Sequence, residues 1–365
     1  MAVRRIHLVL GLSLGALFAV LGLTGTALVF YPELDAMLHP EIRVEGSGAP
    51  DWNRALATLR AAYPDKAGAW RLEVTGDRGA IPARYYNPAE RADHAFRPMM
   101  VWLSPDGSQV LRRDYWGEYA MTMIYDLHYR LLLGERAGTM LGWLGLALLA
   151  LLIGGVWDWW PRGSWRKALR FKRHASAQRR LRDWHKLTGL SGLVFLTILT
   201  ATGIMLELPE ETGAALNAAG LPADHAPHVQ PKGRPERAAP AILPSQAIHA
   251  ARTALPGARL AWIETPHSDG GTFRLRMQVP GDPGFRFPHS FVWIDAVSGK
   301  VIAVQDARRG SAGTSIKNWI HPLHDGSAGG MTGRILAAIA GLLPLVLFLT
   351  GWMRWKARRS GLPRR

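Results

Sequence analysis

Four long stretches that contain no Asp, Glu, Lys or Arg dominate the hydrophobic pattern of the chain. They cover residues 6–32, 137–157, 187–206 and 335–353. A helix that crosses the hydrocarbon core of a bilayer needs about 17–25 apolar residues, and each stretch meets that requirement. The pattern therefore predicts four transmembrane helices, with bounds at residues 6–32, 137–160, 185–207 and 334–355.

The first stretch has two interpretations, because Arg4 and Arg5 precede it as basic residues precede a secretory signal peptide. The apolar core of a signal peptide has only about 7–15 residues, and this stretch is far longer. No small-x-small cleavage site follows Val29. We therefore interpret the stretch as an anchor that is retained.

Two more polar segments, residues 33–136 and 208–333, separate the spans and contain shorter patterns. Apolar residues at helical spacing predict one helix in each segment, and apolar runs bounded by turn residues predict strands. The predicted helices cover residues 52–63 and 245–255, and the predicted strands cover residues 71–74, 99–103, 260–264, 273–279 and 291–294. Each segment is therefore predicted to form a small α+β module.

The chain is a tandem repeat, which is visible as two constant offsets. The first and third spans match at an offset of 178, and the second and fourth spans match at an offset of 196. At the offset of 178, His7, Gly11-Leu12 and Thr24-Gly25 match His185, Gly189-Leu190 and Thr202-Gly203. At the offset of 196, Leu127-His128, Gly134, Gly145 and Gly155 match Leu323-His324, Gly330, Gly341 and Gly351. Halves that run in the same direction imply a pseudo-twofold axis along the membrane normal. The predicted fold is therefore an α-helical bundle of four transmembrane helices with two α+β modules, arranged as a tandem pseudo-twofold repeat.

The charge of the chain is concentrated in three short segments. The net charge is +16, and residues 1–5, 161–186 and 354–365 hold 18 of the 44 Lys and Arg residues but one acidic residue, Asp183. Positively charged loops remain in the cytoplasm. We therefore expect both termini, the loop 161–184 and the tail 356–365 on that side, and the two modules outside. Contact with anionic membrane lipid accounts for this charge, so nucleic-acid binding is not expected.

The composition excludes several kinds of redox centre. Cysteine is absent, which rules out disulfides, iron–sulfur clusters, thiol catalysis and the covalent attachment of c-type haem. The cytoplasmic segments contain neither G-x-G-x-x-G nor G-x-x-x-x-G-K-[ST]. The chain is therefore not expected to bind NAD(P)H or ATP on that side.

Five short motifs are spread over nearly the whole chain and form a specific set. They are His7…Gly11-Leu12…Thr24-Gly25, Leu127-His128…Gly134, Trp159-Trp160-Pro161-Arg162, Val292-Trp293-Ile294-Asp295 and His321-Pro322-Leu323-His324-Asp325-Gly326. With this set the chain resembles the PepSY-associated transmembrane family of bacterial inner-membrane proteins. The resemblance implies PepSY-like modules in the periplasm. It also implies a link to iron, because some members resemble iron-regulated ferric-siderophore reductases that carry b-type haem.

Four of the 13 histidines lie at the ends of spans and belong to pairs related by the repeat. The predicted topology places His7 and His185 at the cytoplasmic end, and His128 and His324 at the outer end. Two imidazoles that face each other across an axis fill both axial positions of a haem iron, and haem b needs no cysteine. We therefore predict two haem b groups per chain with these histidines as iron ligands. The alternative is that the four rings extend to the membrane interface as ordinary polar side chains.

His321 is an alternative to His324 as the outer ligand. The offset of 196 matches His324 with His128, whereas it matches His321 with Tyr125, which has no imidazole. We therefore prefer His324 and expect His321 to lie near the haem edge or the substrate.

Cationic and small residues near the histidines complete the predicted sites. Haem propionates need cations, and the candidates are Arg4, Arg5 and Arg182 for the inner pair and Arg130 and Arg334 for the outer pair. Lipid headgroups explain each of these arginines equally well when it is taken singly. The glycines expected to let a flat macrocycle approach the helices are Gly11, Gly189, Gly145 and Gly341, although small residues also serve helix packing.

Two haems at opposite faces of a bilayer form an electron path. The predicted function is a transmembrane oxidoreductase that carries electrons from a cytoplasmic flavoprotein or quinol to a reducible compound in the periplasm. The family resemblance implies that this acceptor is a ferric chelate, namely a ferric siderophore, so that the chain is a ferric-chelate oxidoreductase. Reduction to Fe(II) weakens binding by hard oxygen ligands and releases the iron for uptake. One alternative is a membrane-anchored binding or regulatory protein without redox activity, because PepSY-like modules resemble the propeptides of secreted proteases. Another is a quinol-linked reductase of a different periplasmic acceptor.

Overall fold

The computed structural model describes residues 2–359 apart from 45, 47–48, 75–78, 92–95, 162, 228, 230–241 and 268–270. Arg162 of the sequence motifs and the last six residues of the predicted tail therefore lie outside the described residues. The chain divides into two compact units. The first unit comprises residues 1–31, 124–212 and 320–365, and the second comprises residues 32–123 and 213–319.

Along the chain, segments of apolar helix alternate with two segments that contain the strands. The helices are α1 (Ala2–Ser13), α2 (Gly15–Val29), α3 (Tyr31–Leu38), α4 (Trp52–Ala62), α5 (Ala120–Arg130), α6 (Glu135–Trp159), α7 (Trp165–Leu169), α8 (Ala177–Ser191), α9 (Leu193–Glu207), α10 (Pro209–Ala218), α11 (Pro244–Ala254), α12 (Ala312–His324) and α13 (Gly330–Arg359). The strands are β1 (Trp70–Glu73), β2 (Ile81–Tyr85), β3 (Met99–Leu103), β4 (Val110–Tyr115), β5 (Arg259–Glu264), β6 (Thr272–Gln278), β7 (Ser290–Asp295) and β8 (Val301–Gln305).

The apolar helices of the first unit are long enough to cross a membrane. Among the described residues, α6 and the helical segment that ends with α13 each qualify by length and composition. The first and third predicted spans are each two helices, because α1 meets α2 at a bend of 55° and α8 meets α9 at a bend of 60°. Within the described part of the chain there are therefore two helices that suit a bilayer by length and composition, or up to four when each bent pair counts as one span. The chain is a membrane protein, as the sequence predicts.

Both bends occur at the same position of the repeat and have a local cause. Ser13 Oγ donates a hydrogen bond to the carbonyl of Val9 at 2.8 Å, and Ser191 Oγ donates to the carbonyl of Thr188 at 3.3 Å. A serine that bonds back to its own helix competes with the backbone ladder, and a neighbouring glycine lowers the resistance to bending. Gly15 follows Ser13 by two residues, and Gly192 follows Ser191 directly. A serine that bonds back to its helix and a glycine close after it therefore explain why neither span is one straight helix.

Small residues let helices of the two repeats pack closely. A Cβ atom at Gly22 of α2 would collide with the carbonyl oxygen of Gly341 of α13, and Thr26 Oγ1 donates to the Ala338 carbonyl at 2.9 Å. On α6, a Cβ atom at Gly145 would lie 2.5 Å from the side chain of Ile204 on α9. Close contact of this kind replaces the hydrophobic effect as the cause of helix association in lipid.

Among the described residues, the second unit contains one sheet, to which both of the segments predicted as α+β modules contribute strands. All eight strands form a single antiparallel sheet in the order β4-β3-β2-β1-β5-β6-β7-β8. The junction is the pair β1–β5, in which Leu72 lies opposite Ile263. Each four-stranded half would by itself leave an unpaired edge, and the two edges satisfy each other in this sheet.

Helices α4 and α11 cover one face of this sheet and form the core of the unit. Leu59 of α4 and Trp70, Ile263 and Phe273 of the sheet are at most 1% exposed. The starts of the two helices are joined, because the Asn53 side-chain amide donates to Ser245 Oγ and its oxygen accepts from the Ser245 backbone amide, both at 3.0 Å. The predicted helices over 52–63 and 245–255 are therefore the elements that close the core.

Several elements do not follow from the sequence pattern, and three of them bear on the sheet and the histidines. β2 contains Pro82, which has no N–H to donate and normally argues against an internal strand, yet β2 lies between β1 and β3 with Pro82 opposite Trp102. Helices α5 and α12 precede α6 and α13, and they carry His128 and His324.

Candidate functional site

The structure brings the four predicted histidines together in two pairs within the first unit. The ring centres of His7 and His185 lie 6.2 Å apart with the ring planes at 88°. Those of His128 and His324 also lie 6.2 Å apart, with the planes at 50°. Imidazoles on opposite sides of one metal ion have ring centres roughly 6 Å apart, because each metal–nitrogen bond is about 2 Å long. The spacing of both pairs therefore fits a metal ion held between two rings.

One ring nitrogen of each histidine is held by a backbone carbonyl oxygen on another helix. The Nδ1–O distance is 3.1 Å for His7, 2.9 Å for His128 and 3.0 Å for both His185 and His324. A carbonyl oxygen only accepts, so Nδ1 carries the proton in all four rings. Nε2 is then the unprotonated nitrogen, and its lone pair is the one that can bind a metal.

The four acceptor carbonyls belong to one recurring motif, L-x-x-[TG]-G, in which the leucine supplies the carbonyl. Its copies span residues 21–25, 151–155, 199–203 and 347–351. The acceptors are Leu151 for His7, Leu21 for His128, Leu347 for His185 and Leu199 for His324. The motif is therefore a second, repeated element of the site that the histidines alone do not reveal.

In three of the four copies the fourth residue is threonine, and its hydroxyl oxygen lies 3.0 Å from the same Nδ1. These residues are Thr24, Thr202 and Thr350. Each hydroxyl donates to the carbonyl four residues before it, at 2.7–2.9 Å. Because its hydrogen is used in this way, the hydroxyl oxygen accepts from the imidazole, so Nδ1–H has two acceptors in these copies.

The final glycine of each motif lets an imidazole lie directly against the helix. A Cβ atom at Gly25 or Gly155 would lie 2.9 Å from Cε1 of the facing histidine, and one at Gly203 would lie 3.1 Å away. At Gly351 the same distance to His185 is 3.5 Å. Since contacts below about 3 Å are repulsive for carbon atoms that prefer 3.5–4.0 Å, a larger residue at the first three positions would displace the ring.

The tethering is reciprocal within each repeat. In the first repeat, His7 bonds to the helix that follows His128, and His128 bonds back to α2 of the first span. In the second repeat, His185 bonds to α13, and His324 bonds back to α9. Each repeat therefore orients its own two histidines by bonds within that repeat. Each pair consists of one histidine from the first repeat and one from the second.

The alternative outer residue, His321, lies apart from this arrangement. Its Nδ1 is 3.4 Å from Asp325 Oδ2, and its side chain is 40% exposed. His324, one turn further on, is the residue that faces His128. The geometry thus places His324 rather than His321 in the outer pair.

The arginines predicted to bind propionates lie in several environments. Arg334 donates through Nε and Nη2 to the Val29 carbonyl, at 3.1 and 2.7 Å, so it caps the end of α2. Arg130 Nη2 lies 3.8 Å from Glu135 Oε1. Arg5 and Arg182 are exposed on α1 and α8. Arg334 is therefore engaged in a structural bond that the sequence does not indicate.

Arg354 is a residue near the inner pair that sequence reasoning missed. It lies on α13 four residues after Thr350, and its charge acts on both His7 and His185. The charges of Arg4 and Arg182 act in turn on Arg354. The signal in the sequence was its helical spacing from Thr350, which places both on the same face of α13.

The four glycines expected to border a macrocycle divide into two kinds. Ile204 occupies the space beside Gly145, and Gly22 and Thr26 occupy the space beside Gly341, so these two glycines serve helix packing. At Gly11 an added Cβ atom would have its nearest neighbour at 4.0 Å, and at Gly189 at 3.6 Å. An added Cβ atom at either of these two positions, four residues after His7 and His185, would make an ordinary van der Waals contact with a leucine side chain.

The model of the PepSY-associated TM region matches residues 4–358 of the chain. No curated protein matches.

Proposed function

Because the chain belongs to the PepSY-associated transmembrane family, we propose that it is an inner-membrane di-haem b reductase. It carries electrons from the cytoplasm or the quinol pool to a periplasmic ferric chelate such as a ferric siderophore. The observation that carries the proposal is the geometry of the histidines. Two pairs have the same 6.2 Å spacing, and all four rings have Nδ1 bonded to a carbonyl.

The residues fit the proposed cofactor. His7 and His185 would hold one haem, and His128 and His324 would hold the other. When bound, b-type haem supplies one-electron transfer between Fe(III) and Fe(II). The leucine carbonyls of the motif hold the proton on Nδ1 and so keep Nε2 unprotonated. The threonine hydroxyls help to fix the orientation of the ring in three of the four copies, and the final glycine leaves room for the imidazole against the helix. A bond from Nδ1 to a neutral carbonyl orients the ring and raises the basicity of the ligand.

The charge distribution supports the placement of the two histidine pairs at opposite faces of the membrane. With the termini and the basic loop in the cytoplasm, His7 and His185 lie at the inner face and the other pair at the outer face. Along α8–α9, His185 and Leu199 are fourteen residues apart, which is a helical rise of at most about 21 Å. Both pairs therefore lie within the thickness of one bilayer.

The reaction is a one-electron transfer across the membrane. A separate donor, either quinol or a cytoplasmic flavoprotein, loses the electron, and the iron of the external chelate changes from Fe(III) to Fe(II). The basic loop 161–184 suits an acidic donor through electrostatic attraction that salt weakens. Fe(II) binds hard oxygen ligands less tightly than Fe(III), so reduction releases the iron from its carrier.

The test is the absorption spectrum of the purified, detergent-solubilised protein together with a pyridine haemochrome count. We expect a Soret band and two b-type haems per chain. A colourless protein after expression with added haem precursor would overturn the proposal, and the membrane-anchored binding protein would then be the better reading.

A further inference from the structure

The face of the sheet that α4 and α11 leave uncovered carries a cluster of arginines. Along β1, Trp70 and Leu72 belong to the core, whereas Arg71 and Glu73 alternate to the opposite face. Arg84 lies directly opposite Arg71 on β2. Like charges in directly opposed positions of two antiparallel strands are destabilising. The pairing of Arg71 with Arg84 near the middle of the sheet therefore needs compensation by negative charge.

Aromatic rings hold the guanidinium groups at this position. Arg71 stacks on Trp262 and donates a hydrogen bond to the Tyr86 hydroxyl. Arg276 lies 4.4 Å from the centre of the same Trp262 ring, and Arg84 lies 5.9 Å from the centre of the Tyr86 ring. Stacking of this kind orients a planar guanidinium and leaves its edge for hydrogen bonding.

Glu73 is the carboxylate at the centre of the cluster, and its bonds are long. It lies 3.5 Å from Arg71, 3.8 Å from Arg84 and 3.9 Å from Arg286. These distances exceed the 2.7–3.2 Å of an N–H···O hydrogen bond. Among the described residues, the buried Nε atoms of Arg71 and Arg84 have no hydrogen-bond partner, and the Arg71 side chain is only 6% exposed. A single carboxylate therefore does not satisfy the donors around it.

The electrostatics agree with an excess of positive charge. Burial would raise the pKa of Glu73, but the guanidinium groups of Arg286, Arg71, Arg84 and Arg276 hold that pKa below its usual value. Burial, together with the charge of Arg71, lowers the pKa of Arg276 to about 10. Arg286 is 39% exposed at the side chain, so the cluster reaches solvent on that side.

We propose that Arg71, Arg84, Arg276 and Arg286 form a binding site for a small anion that bears carboxylate groups. Glu73 already places one carboxylate among these residues, and a guanidinium edge matches the planar carboxylate in a bidentate manner. An entering carboxylate would use the unpartnered Nε donors and compete with Glu73. The site lies in the second unit and takes no part in the histidine pairs.

The test is calorimetric titration of the full-length, detergent-solubilised protein with citrate at low salt, with inorganic phosphate as a second probe. Arg84→Gln should weaken citrate binding about 10-fold, because a hydrogen bond to a charged group is lost. Arg286→Gln, on an exposed side chain, should weaken it without affecting folding. The matched control is Arg274→Gln on the same face, whose guanidinium is paired with Glu264 at 2.5 Å, and it should bind citrate like the parent.

The change in citrate affinity caused by Glu73→Gln distinguishes the two roles of Glu73. If Glu73 competes with the ligand, its removal should tighten citrate binding several-fold, whereas a purely structural role predicts a less stable protein that gains no affinity. The proposal is overturned if citrate does not bind, if phosphate binds and citrate does not, or if both arginine variants bind citrate like the parent. Thermal unfolding of each variant identifies any that fails to fold. If Arg84→Gln fails to fold, the citrate affinity of Arg286→Gln decides whether the proposal holds.

Discussion

Gly154 occupies the position in the first repeat that Thr350 occupies in the second. Thr350 Oγ1 lies 3.0 Å from Nδ1 of His185, whereas His7, which bonds to the Leu151 carbonyl at 3.1 Å, has glycine at the equivalent position. The two histidines of the inner pair are therefore held differently, although the repeat relates them.

The extra acceptor on His185 has a measurable consequence. Thr350→Val removes the hydroxyl and leaves the Leu347 carbonyl as the acceptor, so the imidazole becomes less basic and favours Fe(III) less. We expect both haems to be retained and the midpoint potential of the inner haem to rise by something on the order of tens of millivolts. Redox titration measures this, and Thr197→Val, an exposed position on α9, is the control. An unchanged potential would mean that the hydroxyl only positions the ring.

His185→Ala should remove about half of the haem, because it destroys one of two independent pairs. The remaining spectrum should belong to the outer pair. His174→Ala in the basic loop should leave both haems in place. Pyridine haemochrome analysis measures the content, and a His185 variant that retains two haems would exclude this residue as a ligand.

His324→Ala and His321→Ala should have different effects. Only the first should remove the outer haem and abolish reoxidation of the chemically reduced protein by an external ferric chelate. Stopped-flow absorbance after dithionite reduction measures the rate. The assignment of His324 is contradicted if its variant reoxidises as fast as the parent while the His321 variant does not.

Gly155→Ala tests the close approach of the imidazole to the motif. Its Cβ atom would lie 2.9 Å from Cε1 of His7, so the ring must move and the inner haem should be lost or become high-spin. Gly163→Ala adds a Cβ atom with no neighbour within 4 Å and should leave the spectrum unchanged. The absorption spectrum of the oxidised protein distinguishes the two variants. A Gly155 variant whose spectrum equals that of the parent would show that the site tolerates displacement of the ring.

Acid should weaken the second unit through Glu90. Hydrogen bonds from Lys66 and Tyr115 lower the pKa of Glu90 from 4.5 to about 2. A lowered pKa stabilises the folded state above pH 4.5, and that contribution is lost as the pH falls from 4.5 towards 2. Glu90→Gln should therefore make the unfolding temperature less dependent on pH in this range. Tryptophan fluorescence during heating measures it, with the surface residue Glu118→Gln as control; equal slopes in parent and Glu90 variant would contradict the assignment.

The sequence predicts the apolar spans and the partners within each histidine pair, because both depend on composition and on offsets along the chain. It does not predict the carbonyl acceptors, since every residue has a carbonyl and only the folded helices select Leu151 or Leu347. Thr24-Gly25 and Thr202-Gly203 were visible as repeated pairs, but their contact with histidine was not. The pairing of β1 with β5 joins residues about 190 positions apart, which no local pattern encodes, and Pro82 obscured β2.

The reciprocal tethers set an order for the biosynthesis of the protein. The first repeat by itself contains His7 and His128 together with their acceptors, Leu151 and Leu21, but it lacks the opposite ring of each pair. His185 emerges next, and the bond that orients it waits for Leu347, near the end of the chain. The inner pair is therefore complete only when the last span has entered the membrane, whereas His324 meets its acceptor, Leu199, on a helix made earlier. A chain truncated before α13 would keep the four histidines and the carbonyl acceptors of the outer pair, but it would leave His185 without the bond that orients it.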